Sequence, residues 1–314
     1  MRVAALAVGA AVLASAAASA AARLVPESIA WGHGASIAVS SSRGVSVVDA
    51  QTGAARLVTS LGRGGASLDW SPDGRTLLFD DRFKLYTVRS DGTGRRRLGR
   101  GYFGRWSPGG GRIAFFRRDG LFVMRADGSR AHEVIRDRYN DLTGPPSWSP
   151  DGRRIAFVSC SAAFLSRPCE HQFGFDVYTI SAAGGQKHRV TRRSGFPQCV
   201  TWSSAGNLAF TNADLQLTIV RRDGSLHTYR ISGCPTWAPG GRRLAASGRF
   251  GPTLVNADGS GRFPLRVLPK RTEGLMAVAW SPDGRQIAFA TNVGGKAARL
   301  YVVGADGRGR RLLS

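Results

Sequence analysis

A chain of 314 residues, 42% of them hydrophobic, has the material for a large core, which excludes a disordered polypeptide. Its 44 basic residues against 21 acidic ones leave a formal charge of +23, which reads either as an anionic partner or as a codon-usage effect. All the basic residues but Lys84, Lys187, Lys270 and Lys296 are Arg, spread along the whole chain. That spread fits the codon usage of a GC-rich genome better than a dedicated anion-binding run, and nucleic acid is not the expected partner.

The first residues, MRVAALAVGAAVLASAAASAAARLV, set one Arg before an uncharged run that ends in small residues with Ala-x-Ala sites. This predicts a secretory signal peptide over 1–22, followed by a single domain over 23–314. The alternative is an uncleaved membrane anchor, because the run is long enough to span a bilayer. No later segment is apolar enough to do so.

From residue 29 onward a unit recurs. Trp31, Trp70, Trp106, Trp148, Trp202, Trp237 and Trp280 are all the tryptophans of the chain, at spacings of 39, 36, 42, 54, 35 and 43 residues. Each opens a segment such as WSPDGRTLLF, WSPDGRRIAF or WSPDGRQIAF. Ser-Pro-Asp-Gly suits a tight turn: Ser accepts a hydrogen bond, Pro presets φ, and Gly takes the left-handed conformation. The Trp then ends one strand and the apolar run begins its antiparallel partner. Because Ile-Ala-Phe is apolar throughout, both faces of that second strand are expected to be buried. A third strand (LYTV, LFVM, VYTI), a turn with Asp-Gly, and a fourth strand (RRLG, HEVI, RRLL) complete each unit. Four strands repeated seven times, with periods near 40, predict an all-β, seven-bladed β-propeller, six blades being the alternative. The Trp is the expected wedge between blades, and ring closure is expected to rest on packing.

In this strand order the Ser-Pro-Asp-Gly and Asp-Gly turns share one face. The loops between strands two and three, with those between blades, share the other, and that variable face is the expected binding surface. The fourth unit carries the longest such loop, SCSAAFLSRPCEHQFGFD. It holds Cys160, Phe164, Arg167, Cys169, His171 and Phe173. An even number of Cys in an exported chain points to disulfides, and Cys160–Cys169 and Cys199–Cys234 are the pairs expected, other pairings remaining open. Cys199 and Cys234 occupy equivalent places on neighbouring innermost strands, with Cα atoms expected roughly 7 Å apart, near the limit for a bridge.

Asp69 and Arg105 each stand just before a Trp and face each other across adjacent blades. They read first as a partly buried ion pair and second as a channel ligand site. His132, His188 and His227 start outer strands in three different blades, so a three-His metal site is not expected, nor is any cofactor.

The repeat WSPDGRxIAF, with its hydrophobic third strand, Asp-Gly turn and basic fourth strand, resembles the TolB-type, WD-repeat-like propeller family over nearly all of 29–314. The same repeat occurs in the propeller domains of prolyl oligopeptidase-type enzymes. Neither the α/β domain of TolB nor a Gly-x-Ser-x-Gly elbow has a counterpart here. The resemblance implies an exported, non-enzymatic scaffold, monomeric, that binds a protein or an anionic cell-envelope polymer. In TolB the partner is a peptidoglycan-associated lipoprotein, which requires an outer membrane. The expected contact residues are Tyr102, Phe103, Tyr139, Phe164, Arg167, His171, Phe173, Phe196 and Phe250. The alternative is a lyase-like enzyme acting on an anionic oligosaccharide at the channel mouth.

Overall fold

A computed structural model describes residues 28–62, 66–118, 120–136, 144–160, 175–192, 194–248, 250–268, 275–291 and 299–313. The predicted signal segment 1–22 lies outside them. The described residues form seven four-stranded antiparallel sheets, each in sequence order. Blades 1 to 7 occupy 28–59, 68–100, 102–136, 147–189, 197–230, 232–264 and 275–312. This is the seven-bladed propeller that the repeat predicts.

Every Trp is the last residue of its innermost strand and pairs with the first Ile or Leu of the next: Trp31 with Ile37, Trp70 with Leu77, Trp106 with Ile113, and so on to Trp280 with Ile287. The turn between them is built as its residues require. At Ser71 the backbone N–H donates to Thr76 O at 2.8 Å, and Oγ accepts the Thr76 N–H at 2.9 Å while donating to Asp73 Oδ1 at 2.5 Å. Ser149 and Ser281 repeat this arrangement with Asp151 and Asp283. Gly74, Gly152 and Gly284 sit at φ +67, +64 and +69, where a side chain would be strained. The serine hydroxyls hold the carboxyls of Asp73, Asp151 and Asp283 below the ordinary value.

The core is divided among the seven blade interfaces. Phe79, Phe115, Phe157 and Phe289, on the second strands of blades 2, 3, 4 and 7, are completely buried. One apolar cluster joins blades 7 and 1 through Ile29, Val39, Ala288 and Val302, so the ring closes by packing. Arg311 adds to the closure by donating to the carbonyls of Ala50 and Gln51. Other Arg side chains do the same between neighbours: Arg56 bonds Ser90 O and Asp91 O, and Arg112 bonds Gly152 O at 2.6 Å. Others lie over aromatic pairs, as Arg95 does over Phe79 and Tyr86. Part of the basic excess is therefore structural.

Candidate functional site: the channel and the loop-rich face

The innermost strands line a central channel with a cavity of about 510 Å³. Its chemistry is set by the residue before each Trp. Ala30, Asp69, Arg105, Ser147, Thr201, Thr236 and Ala279 all pair with the second apolar residue of the neighbouring strand, so they occupy one level. The backbone carbonyl at this level accepts the indole N–H of the next blade: Trp70 to Ala30, Trp148 to Arg105, Trp237 to Thr201 and Trp280 to Thr236, at 3.0 to 3.3 Å. Where that residue is Asp69 or Ser147, its side chain instead accepts the next backbone N–H, from Trp106 at 2.7 Å and from Trp202 at 2.8 Å. The indole N–H groups of Trp106 and Trp202 are then buried without a partner among the described residues.

Asp69 and Arg105 do not form the expected ion pair. Among the described residues no Asp69–Arg105 contact falls within ion-pairing distance; Arg105 Nη1 instead donates to Ser67 Oγ and Gly104 O, both at 2.9 Å. Two stronger claims win: Asp69 holds the Trp106 amide, and the guanidinium satisfies groups at the edge of blade 2 and in its own strand. Burial pushes the Asp69 carboxyl up to about 6, against the pull of Arg105 and of the Trp106 amide. Asp80, which accepts the Ser67 N–H at 2.9 Å, is likewise raised by burial to about 6.

Cys199 and Cys234 are disulfide-bonded across blades 5 and 6, with Cα atoms 5.2 Å apart, closer than the strand positions suggested. Both line the channel cavity. The Cys160–Cys169 pairing, and Tyr139, Phe164, Arg167, His171 and Phe173, fall outside the described residues or side chains. His132, His188 and His227 lie on the outer strands of blades 3, 4 and 5, as the repeat requires.

The loop-rich face carries unusual backbone. Arg82, Phe83, Phe103, Phe196, Cys199 and Leu215 all have φ between +49 and +58, and all lie at loops between strands two and three or at entries to innermost strands. Such a conformation is costly for residues with a Cβ and concentrates at functional positions. Phe83 and Arg82 form the two-residue turn between Thr76–Asp81 and Lys84–Arg89, and Phe83 is 70% exposed. Its ring meets Tyr102 edge-on at 5.8 Å, and Tyr102 meets Phe103 edge-on at 5.5 Å. Phe103 and Tyr102 are half-buried over the cluster between blades 3 and 4. Arg82 and Arg100 are exposed beside this patch, and Arg117 is half-buried nearby. The nearby acidic groups are engaged by backbone amides, Asp81 by Gly62 N and Asp80 by Ser67 N. Arg82, Arg100 and Arg117 outnumber Asp80 and Asp81, so the aromatic rings have a net positive surround.

Of the other expected contact residues, Phe196 packs edge-on against buried Phe175 at 4.9 Å and belongs mainly to the core between blades 4 and 5. Phe250 is half-buried in the loop between strands two and three of blade 6, and its carbonyl accepts the Val267 and Leu268 N–H groups. Sequence reasoning passed over Phe83. The signal was present in Asp-Asp-Arg-Phe-Lys, where a two-residue hairpin that wants Asn-Gly carries Arg-Phe. It also passed over buried Asp176, which accepts bonds from Arg189, from Thr191 Oγ1 at 3.0 Å and from Ser194 Oγ at 3.0 Å, tying the entry to blade 5 to blade 4.

No family model and no curated protein matches the chain. Solved structures do. A puromycin hydrolase S511A mutant complexed with PGG aligns at TM-score 0.70 and 16% identity, over 95% of this chain and 55% of that one. An oligogalacturonate lyase in complex with manganese aligns at TM-score 0.62 and 14% identity, over 89% and 85%. TolB from Acinetobacter baumannii aligns at TM-score 0.52 and 15% identity, over 90% and 77%. At these identities the likeness speaks for architecture: the chain has a TolB-like β-propeller fold, which enzymes and TolB proteins share.

Proposed function

We propose that this chain is an exported, non-enzymatic binding scaffold whose loop-rich face docks a protein or an anionic cell-envelope polymer. The observation that carries this reading is the Phe83–Tyr102–Phe103 patch: an exposed ring held at a left-handed φ, flanked by arginines whose acidic neighbours are already engaged. Exposed aromatic and Arg side chains on a rigid frame are what binding hot spots are made of. The disulfide across blades 5 and 6 supports an oxidising compartment. TolB among the structural neighbours agrees with a binding role.

A lyase or hydrolase reading draws on the enzymes with the same fold, but the channel offers Asp69 and Arg105 without a His beside them among the lining residues. The test is retention of envelope components on immobilised protein. Phe83→Ser with Phe103→Ser should lose the retained component, whereas Ser129→Ala in an Asp-Gly turn of the opposite face should keep it. Equal retention by both variants would overturn the assignment of the face.

A further inference from the structure

The channel cavity has its own chemistry, independent of the aromatic face. At one level of its wall, blades 2 and 3 supply a carboxyl and a guanidinium, and blades 4 to 6 supply the hydroxyl residues Ser147, Thr201 and Thr236. The adjoining arc, from blades 7 and 1, is apolar: Ala277, Val278 and Ile29. The two charged groups share the cavity without pairing. Asp69 uses Oδ2 on the Trp106 amide, and Oδ1 has no hydrogen bond among the described residues. Arg105 satisfies its surroundings through Nη1, and neither Nε nor Nη2 bonds a described residue. A half-buried acid and base stand in one cavity without a direct ion pair, each with bonding capacity left over, and a ligand that carries both charges could engage both.

We propose that the channel binds a small zwitterion, a free amino acid or dipeptide with an apolar side chain, its ammonium at Asp69, its carboxylate at Arg105 and its side chain on the apolar arc. The cavity, about 510 Å³, is within the range of small-molecule sites. A guanidinium suits the carboxylate because it offers parallel N–H donors. Ser147 Oγ accepts the Trp202 N–H at 2.8 Å and keeps its own proton to donate to a ligand oxygen.

The test is a calorimetric titration of the full chain with leucine, glycyl-leucine, N-acetyl-leucine and leucinamide. Leucine or glycyl-leucine should bind, the tighter of the two showing whether a free amino acid or a peptide is preferred. Blocking either charge should weaken binding about tenfold or more, as expected for the loss of one charge-assisted contact. Asp69→Asn should erase the difference between leucine and N-acetyl-leucine, and Arg105→Gln the difference between leucine and leucinamide. The comparison of blocked and free ligands needs only the wild-type chain, so it stands even where a variant does not fold. Absence of binding by both leucine and glycyl-leucine, or equal binding of the blocked forms, would overturn the proposal.

Discussion

The indole N–H shows what each tryptophan contributes beyond its bulk. Trp148 donates to Arg105 O of the preceding blade, whereas the Trp106 N–H is buried without a partner among the described residues, because Asp69 takes the backbone amide instead. Replacing Trp148 by Phe should therefore cost about 1 kcal/mol more in urea unfolding than replacing Trp106 by Phe. Equal costs would mean that the indole bond is unimportant. Asp69 and Asp80 make a second residue-level prediction. Their carboxyls are raised to about 6, so they hold a proton more tightly folded than unfolded. The stability they contribute is complete below the ordinary carboxylate range, near 4, and falls as pH rises through about 6. Asp73, Asp151 and Asp283 act in the opposite sense: their lowered values give stability that is present above the ordinary range and lost on acidification. Asp69→Asn should flatten the decline in the denaturation midpoint between about pH 4 and pH 6, and an unchanged profile would contradict the burial argument. The tryptophans were legible in sequence because a rare residue recurs in phase. The fate of Asp69 was not, since whether a carboxyl takes a guanidinium or an amide depends on a few tenths of an ångström between blades.

Among the elements, turns were read most reliably. Ser-Pro-Asp-Gly dictates its own hydrogen bonds, and the structure shows the same Ser–Asp arrangement at Ser71, Ser149 and Ser281. The two-residue turn Arg82–Phe83 breaks the local rule, and the proposed binding role gives that break a reason other than stability. Phe83→Gly should accordingly stabilise the fold by about 1 kcal/mol while weakening partner retention, read by thermal unfolding beside the binding assay. A loss of stability would show that the ring is there for packing. The disulfide ties two innermost strands that have no backbone ladder between them. Cys199→Ser with Cys234→Ser should lower stability by about 2–4 kcal/mol. The pairing could be read in advance because equivalent strand positions are neighbours in a ring. The long loop of blade 4 offered no such rule, since its length carries no repeat.

At the scale of the whole molecule, seven similar sheets bury apolar second strands against one another, and among the described residues the first and last meet without exchanging a strand. Blade number was legible because period and length agreed. Function was not, because the repeat encodes the frame, and the residues that interrupt it follow no rule of spacing. The positive charge divides between arginines that clasp neighbouring blades, such as Arg56 and Arg311, and arginines left exposed on the loop-rich face, such as Arg82 and Arg100. The most direct test of the account is site-specific photo-crosslinking in the native envelope, with a photoreactive phenylalanine at position 83 and, separately, at position 129 in an Asp-Gly turn. The account predicts a discrete partner adduct from position 83 and none from position 129. Adducts from position 129 alone, or the same adducts from both, would contradict it.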